Sequence, residues 1–353
     1  MDYIIEIDGS EGGGQMLRTA LSLSAILGQH FEMKNIRGAR ERGGLQRQHL
    51  ASVQAMKQIC GADVEGAELH SKELVFEPSE IQAGNFSLNV GTAGSVGLIL
   101  QCLLPALAFA PEKSHIELIG GTDTHFAPPH LYLENVFLPA VGRMGFNGGL
   151  EALKWGWYPQ GSGVVNATVE PVDEFRNIEL VEKGGLKRLW GVSAISNLPA
   201  HIAERQKTTA LKLLAEKGMD AKIEVVNAPS VGKGSLLFLC AEFENSIAGF
   251  SSLGEIGKPA EKVAENAVVD LLKFIESNAA VDKHLADQLL LYAALARGKT
   301  VLQVEEITDH VLKDIEVIEL FLPVKFSVEG SKGKQGIISV EGIGFENKFK
   351  VMT

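Results

Sequence analysis

The apolar residues of this chain recur with two periods, one typical of strands and one typical of helices, and the two follow each other in a regular order. The first unit is predicted as strand, helix, strand, helix and two extended segments, over residues 2–8, 15–28, 31–36, 46–61, 62–69 and 72–79.

The same order begins again twice. The second unit is predicted as strand, helix, strand and helix over 85–91, 96–110, 115–121 and 131–145. The third is predicted as helix, strand and helix over 286–298, 299–306 and 311–322. A polar loop separates the second strand from the second helix each time, so the order helix, strand, polar loop, helix occurs three times.

Residues 184–277 lie between the second and third units and have a helix and strand pattern of their own. In this segment, helices are predicted over 201–218 and 259–277, and strands over 221–228 and 234–243. We therefore predict an α/β (α+β) protein in which three repeated units form a large domain, residues 1–183 plus 278–353. The segment 184–277 is predicted to form a smaller inserted α/β domain.

The composition is that of a globular protein with an excess of acidic residues. The 353 residues carry a formal net charge of −11, and their number suggests about two domains. The acidic balance argues against a protein that coats long nucleic acids, because such proteins rely on many contacts from Lys and Arg to phosphate. It is compatible with a protein that binds a single nucleic-acid end through a small basic patch.

Several features favour the cytoplasm. The three cysteines are far apart in apolar surroundings and lack metal-binding spacing, as expected of reduced thiols. The amino terminus does not resemble a signal peptide. The most apolar run, residues 96–110, contains Gln101 and Pro105 and is shorter than the ~20 residues that span a bilayer. We predict a core helix there and no membrane partner.

The segment "DGSEGGGQMLR", Asp8 to Arg18, is a Gly-rich turn between the first strand and the first helix. Backbone N–H groups at a helix N-terminus favour a nearby phosphate, and glycine permits close approach. Glu11 is unexpected there, because a carboxylate repels an anion. Either the turn is only a tight connection with Glu11 in solvent, or a divalent cation lies between carboxylate and phosphate and Glu11 is a metal ligand.

The loop after the second strand of the first unit is basic. Arg37, Arg40 and Arg42 precede Arg47 at the start of the next helix, and the arginine fork suits a bidentate grip on phosphate. The alternative is a solvated run of charges balanced by Glu41.

The corresponding loops of the other two units differ in chemistry. In the second unit, Gly-Gly and Pro-Pro dipeptides mark a rigid turn, and the five-residue spacing of His125 and His130 is poor for a metal pair. In the third, the loop holds Thr308 and His310. A single histidine before a helix is more often a capping or half-buried residue than a catalytic one. If the units pack side by side, however, the three loops can converge, which favours catalysis by His310.

Two groups of polar residues accompany the apolar helices. Gln101 lies in the middle of one helix, and a buried amide needs partners, either a base or ribose edge or other protein groups. His284, Asp287 and Gln288 precede the apolar face of another helix, where a favourable interaction of Asp287 with the helix dipole is the simpler explanation.

Six stretches, taken together and in order, resemble the RNA 3′-terminal phosphate cyclase family. They are "EGGGQMLR", "GLQRQHL", "VGTAGSVGLILQCLLPAL", "GGTDTHFAPP", "HLADQL" and "ITDHVLKDIEVIELFLP". The resemblance extends over nearly the whole chain. It implies a large domain of three βαβαββ units, each pairing two helices with a four-stranded sheet, and a small inserted α/β domain.

The resemblance also implies ATP-dependent conversion of an RNA 3′-terminal phosphate to a 2′,3′-cyclic phosphodiester, with a divalent cation (Mg or Mn). The route passes through a covalent histidine–AMP intermediate and an adenylylated RNA end, releasing pyrophosphate and AMP. His310 matches the family's nucleophile, and Glu11 matches its metal-associated acid. The family's ATP contacts match Gln101, Pro129, His284, Leu285, Ala286, Asp287 and Gln288. Its Arg-rich loop, expected to bind the RNA 3′-phosphate end, matches Arg40, Arg42, Arg47 and Gln48.

The chain departs from the family pattern at three positions. His284 stands where a tyrosine is expected, and Lys313 and Asp314 stand where threonine and asparagine are usual. Two other functions stay open. A non-catalytic relative that serves in ribosome assembly would lack the histidine, and a carboxyvinyl transferase of similar repeated architecture would need neither ATP nor a nucleophilic histidine. The sequence does not indicate an oligomeric state.

Overall fold

Three of the four sheets in the structure, a computed structural model that describes residues 4–350, have the same topology. The first unit contains β1 (Ile5–Asp8), α1 (Gly14–Leu27), β2 (Phe31–Lys34), α2 (Arg47–Cys60), β3 (Asp63–Glu65) and β4 (Leu74–Glu77). Its strand order is β1-β2-β4-β3, and only β1 and β2 are parallel. The first predicted strand began at residue 2, and residues 2 and 3 lie outside the described part.

The second unit repeats this plan. It contains β5 (Asn85–Asn89), α3 (Val96–Leu107), β6 (Ser114–Gly120), α4 (His130–Tyr132), α5 (Leu138–Arg143), β7 (Asn147–Lys154) and β8 (Gly163–Glu170). A π-helical turn, Leu133–Phe137, joins α4 to α5. The strand order is β5-β6-β8-β7, again with only the first two strands parallel.

The third unit is interrupted by the insertion. It begins with the two-residue strand β9 (Glu179–Leu180), after which the chain leaves it. The inserted region contains β10 (Leu186–Ser196), α6 (His201–Ala215), β11 (Lys222–Asn227), β12 (Gly234–Phe243), β13 (Ile247–Leu253) and α7 (Ala260–Glu276). The third unit resumes with α8 (Leu285–Leu295), β14 (Arg297–Val304), α9 (Asp309–Phe321), β15 (Ser327–Gly330) and β16 (Gly336–Ile343).

The sheet of the third unit has the order β9-β14-β16-β15, and β9 is parallel to β14. The predicted class, three repeated units with an inserted α/β region, is therefore confirmed. The insertion was expected between the second and third units, whereas it follows the first strand of the third. A strand of two residues offers too few positions for a periodic pattern to reveal. The predicted domain boundaries stay a prediction.

The strand β12 shows how the inserted region packs. Its alternate residues point to opposite faces of the sheet β11-β10-β12-β13. Leu237 and Leu239 belong to the inserted region's own core beside α6 and α7. Leu236 and Phe238 belong to the core of the three units. Both faces of the inserted sheet are therefore covered, one by its own helices and the other by the large core.

The helices of the three units share one end of the molecule. α1 and α2 follow the parallel strands β1 and β2, and α3 and α4 follow β5 and β6. Because parallel neighbours end at the same sheet edge, both helices of a unit start on the same side. α1 packs against α2, α3 and α9, and α8 packs against α9. This packing brings helix N-termini from all three units together.

In residues 4–350, no helix combines the length and the apolar character needed to cross a membrane.

Candidate functional site

A cleft of about 840 Å³ lies where the helix N-termini converge. The first turns of α1, α2, α8 and α9 line it, together with residues of α3, the β6–α4 loop and β13 of the inserted region. The predicted site residues that line it are Arg40, Gln48, Gln101, Pro129, His284, Asp287, Gln288 and His310. The predicted convergence of polar loops from three units is therefore present in the structure.

Five predicted site residues lie outside the lining. Leu285 and Ala286 are buried in the main core. Arg42 and Arg47 are exposed, and so is Glu11. Leu285 and Ala286 can position the first turn of α8, but their side chains do not reach the cleft.

His310 was predicted in the loop before a helix over 311–322, but α9 begins two residues earlier, at Asp309, and His310 lies in its first turn. Thr308 caps the helix, because its hydroxyl accepts a hydrogen bond from the Val311 N–H at 3.2 Å. The His310 Nδ1 atom lies 3.3 Å from an Asp287 carboxylate oxygen. This contact with Asp287 raises the pKa of His310 above its ordinary value. It also leaves Nε2 as the ring nitrogen available for chemistry.

A buried charged cluster lies behind His310. Asp314 is buried, and the Thr19 hydroxyl donates to its carboxylate at 3.1 Å. Burial, and secondarily the charge of Asp287, raise the pKa of Asp314 to about 8. Burial lowers the pKa of the Arg18 guanidinium, and the positive charge of Arg18 favours the ionised form of Asp314. Asp314, one of the departures from the family pattern, thus belongs to the support of the site.

The Arg-rich loop contains arginines with different roles. The Arg37 guanidinium donates to the carbonyl oxygens of Arg42 at 2.8 Å and Gly44 at 3.1 Å, so it holds the loop together. Arg40 is exposed and lines the cleft. The arginines of the predicted basic patch therefore differ in position. Within this loop, Arg40 is the exposed arginine that lines the cleft.

The start of α2 connects the first two units. The Gln48 side-chain oxygen accepts a hydrogen bond from the Ser95 N–H at 3.1 Å. His49 accepts from the Gln46 N–H at 3.2 Å, and burial lowers its pKa to about 3. The neutral His49 ring lies against Gly14, where a Cβ atom would collide with Nε2. This close approach explains a glycine of the "EGGGQ" turn.

Glu11 is paired within the protein. Its side chain is 80% exposed, and its carboxylate lies 3.1 Å from the Lys313 ammonium group. Lys313 also contacts Glu316 at 2.9 Å. Among residues 4–350, no group of three or more His, Cys, Asp or Glu side chains could hold a metal ion. The single carboxylate of Glu11 fits a cation that is held mainly by the oxygens of a bound ligand. It does not fit a metal site built only from protein side chains.

The second unit's histidines have separate environments. His130 is buried, and its Nδ1 lies 3.0 Å from the Asp123 carboxylate. His125 is exposed. A shared metal site, already the less favoured interpretation of their spacing, has no support from this arrangement.

Asp282 was not predicted from the sequence. It is buried and accepts hydrogen bonds from the N–H groups of His284 at 2.9 Å and Leu285 at 3.0 Å, and from the Tyr132 hydroxyl at 2.8 Å. It therefore fixes the start of α8 against α4. An acid three residues before the first residue of a helix was the available signal.

The inserted region also contributes residues that the sequence did not indicate. Lys258 lines the cleft, and its ammonium group donates to the Ser252 hydroxyl at 3.1 Å and the Leu253 carbonyl at 2.9 Å. Phe250 and Ser252 line the same wall. No local motif links these residues to His310, so only the packing of the inserted sheet reveals them.

Two buried polar atoms of the cleft lack a partner in the described part of the chain. They are the Gln101 side-chain nitrogen and the Gln288 side-chain oxygen. An unpaired buried amide is costly, so both groups are suited to a polar ligand or to ordered water.

Comparison with known proteins found similarity along nearly the whole chain. The family model described as RNA 3′-terminal phosphate cyclase matches residues 9–328. A protein named RNA 3′-terminal phosphate cyclase from Pyrobaculum neutrophilum is 42% identical over 345 residues, covering 97% of this chain and 99% of the relative. One of the same name from Pyrococcus abyssi is 41% identical over 339 residues, covering 96% and 98%.

Among solved structures, the enolpyruvyl transferase NikO from Streptomyces tendae aligns with 98% of this chain and 49% of its own, with a TM-score of 0.39 and 10% identity. A likeness of that size carries no argument about fold or activity.

Proposed function

Since the chain belongs to the RNA 3′-terminal phosphate cyclase family, we propose that it is an enzyme that converts an RNA 3′-terminal phosphate to a 2′,3′-cyclic phosphodiester and consumes ATP. The observation that carries the proposal is His310 in the cleft, with Nδ1 beside Asp287 and Nε2 free. A ribosome-assembly relative would lack this histidine. A carboxyvinyl transferase would not need it.

In the first step, the lone pair of the His310 Nε2 attacks the α-phosphorus of ATP. A nitrogen–phosphorus bond forms, the bond from that phosphorus to the bridging oxygen breaks, and pyrophosphate leaves. The Nδ1 proton stays in the hydrogen bond to Asp287, 3.3 Å away, where the carboxylate offsets the positive charge that develops on the ring.

In the second step, an oxygen of the RNA 3′-phosphate attacks the same phosphorus, and the bond to His310 breaks. The RNA end now carries AMP through a phosphoanhydride. In the third step, the neighbouring 2′-hydroxyl oxygen attacks the RNA phosphorus, its proton passes to solvent, and AMP leaves. Transfer of AMP makes this ring closure feasible, because an unmodified phosphate monoester offers only a poor leaving group.

Nucleotide recognition is assigned to the side of the cleft formed by α3, α4 and α8. We propose that Gln101 and Gln288 bind ATP, which is supported by their unpaired buried polar atoms. Pro129 and His284 line the same cleft and are proposed to flank the adenine. The backbone of Leu285 and Ala286 positions Asp287 and Gln288 on α8.

Recognition of the RNA 3′-phosphate is assigned to Arg40 and to Gln48, which lines the same cleft. A guanidinium suits the phosphate dianion because it offers two parallel donors. Arg42 and Arg47, exposed but outside the lining, are proposed to add positive potential or to contact RNA farther from its end.

A divalent cation, Mg or Mn, is part of the proposal. The single exposed acid Glu11 supports a cation carried mainly by triphosphate oxygens. When bound, such a cation offsets phosphate charge and stabilises the leaving pyrophosphate. We also propose a cytoplasmic location, supported by the free, buried thiols of Cys60, Cys102 and Cys240.

One assay tests the proposed function. The protein is incubated with ATP, MgCl₂ or MnCl₂, and a short RNA labelled in its 3′-terminal phosphate. We expect the label to become resistant to phosphatase, with AMP and pyrophosphate as coproducts. An RNA with a 2′-deoxy terminal nucleotide is the control, because it can accept AMP but cannot form the cyclic product, so its labelled end should keep AMP instead of releasing it. Label that stays phosphatase-sensitive with RNA under every metal condition would refute the proposed activity.

A further inference from the structure

Phe126 has an unusual position for a large apolar side chain. It lies in the loop between β6 and α4, lines the cleft, and is fully exposed. Within residues 4–350, only Ile256 is a large apolar residue of comparable exposure. An aromatic ring held in water at the edge of a polar cleft is suited to contact with a ligand.

The backbone of this loop holds Phe126 in a costly conformation. Its φ angle is +63°, in the left-handed region that bulky residues rarely adopt. Buried backbone hydrogen bonds anchor the loop on either side of Phe126. The Thr122 N–H donates to the Gly156 carbonyl at 3.0 Å, and the His130 N–H donates to the Thr122 carbonyl at 3.2 Å. A strained residue held by a rigid frame in a cleft points to a functional constraint.

Both faces of the Phe126 ring are open for stacking. The ring contact found for it is His125, with centroids 6.3 Å apart and planes tilted by 57°. The proposed adenine position, by contrast, has Pro129 on the buried side and His284 nearby in the same cleft. An RNA strand held by its 3′-phosphate in the cleft must continue out of it, and the fully exposed Phe126 ring in the cleft lining is accessible to such a strand.

We propose that Phe126 is a stacking platform for the terminal nucleobase of the RNA, a specificity-determining contact that rests on the proposed function. Proteins that bind single-stranded RNA commonly hold bases on aromatic faces, while arginines neutralise the phosphates. Arg37 and Arg40 line the same cleft as Phe126. One nucleotide can thus meet a cationic contact at its phosphate and an aromatic contact at its base.

The test compares Phe126→Leu, which keeps apolar bulk without a flat π face, with Phe126→Trp, which restores one. Loss of a stacked base is worth about a 5- to 150-fold change in binding. We expect Phe126→Leu to raise the KM for 3′-phosphorylated RNA by a factor in that range and Phe126→Trp to keep it near the original value. Transfer of label from α-labelled ATP to the protein should be unchanged in both.

Leu320→Ala is the matched control, because Leu320 is an exposed apolar residue of α9 that does not line the cleft. It should leave both the KM and the labelling unchanged. An unchanged KM in Phe126→Leu would overturn the inference. So would a slower reaction with ATP in that variant, because the ring would then serve the nucleotide.

A second measurement uses an RNA whose 3′-terminal nucleotide lacks its base. If the base stacks on Phe126, the original protein loses affinity for this RNA, and Phe126→Leu loses little more. If removing the base from the RNA and changing Phe126 to Leu each reduced affinity by the same factor with or without the other change, stacking would be refuted. Failure of the proposed function is distinguishable, because the unaltered protein would then make no cyclic product from any RNA.

Discussion

The loops that precede the second helices of the first and third units occupy equivalent places in the same topology but differ in length and in chemistry. The first covers residues 35–46 and exposes Arg40 at the cleft. The third covers only residues 305–308, and α9 begins directly after it, at Asp309. His310 is therefore held by α9, capped by Thr308 and in contact with Asp287.

In the proposed reaction, this difference corresponds to two separate requirements, a nucleophile from the third unit and a phosphate contact from the first. A nucleophile must meet one phosphorus atom in one direction, and a side chain on a helix is placed more accurately than one on a loop. An arginine that binds a phosphate can vary more in position, because its guanidinium attracts the dianion over a range of distances and directions. The repeated unit thus supplies a common frame, and the length of one loop decides which role each copy can take.

His310→Ala should have the largest effect on activity of the changes considered for the two loops. We expect loss of covalent labelling by α-labelled ATP and at least about a thousandfold loss of cyclisation, because the proposed nucleophile is gone. The fold should persist, since the side chain is half exposed. Circular dichroism checks the fold, and denaturing electrophoresis checks the label. Undiminished labelling would exclude His310 as the carrier of AMP.

Arg40→Ala should impair only the RNA half of the reaction. Loss of a charge-assisted contact of about 1.5–3 kcal/mol corresponds to a roughly 10- to 150-fold higher KM for 3′-phosphorylated RNA. Covalent labelling by ATP should change less than about twofold. Arg42→Ala is the matched control, because Arg42 is in the same loop but outside the cleft lining, and it should have a smaller effect.

Equal losses for Arg40→Ala in RNA use and in labelling would instead assign Arg40 to the nucleotide. Equal losses for Arg40→Ala and Arg42→Ala would restore the broader basic patch expected from the sequence.

Asp287→Asn should change the pH dependence of labelling. The unprotonated form of His310 reacts, so the rate rises as the pH passes through its pKa. Contact with Asp287 raises that pKa above the ordinary 6.5, and removing the negative charge should move the midpoint to lower pH. Labelling rates across the pH range measure the shift. Asp309→Asn is the control, because Asp309 pairs with Lys332 at 2.6 Å outside the cleft lining, and its midpoint should stay in place.

Glu11→Gln should have the smallest effect. The exposed Glu11–Lys313 pair contributes about 0–1 kcal/mol, so stability should hardly change. If Glu11 assists the cation, the variant should need a few-fold higher metal concentration for half-maximal labelling. Lys313→Met separates the two partners, since it frees the carboxylate and should lower the metal requirement. Superimposable metal titrations for both variants would count against a metal role for Glu11.

Much of the fold was accessible from periodicity, and its failures have physical causes. The strands and helices of the first unit, and the first two strands and the helices of the second, were predicted because their apolar residues follow one period for long enough. The last two strands of the second unit, β7 and β8, were not predicted. β13, with Gly249 and two serines in seven residues, lacks that signal. β9 has only two residues, so this first strand of the third unit was not predicted.

The candidate site was predictable where a residue type carries its own chemistry. His310 and Arg40 stood out by side-chain chemistry and by position before a helix, and Gln101 and Gln288 as polar residues of apolar helices. The family resemblance added Leu285 and Ala286. Asp282 and Lys258 did not stand out, because their roles depend on partners that are distant in the chain.

The amino-acid sequence by itself determined the local elements and the reactive groups, because periodicity, capping and side-chain chemistry are properties of neighbouring residues. Only the tertiary structure decided that Arg40 faces the cleft while Arg42 does not, and that Glu11 is paired with Lys313. These outcomes depend on how six helices and an inserted sheet pack together. That packing is the sum of many long-range contacts, and no single stretch of the chain encodes it.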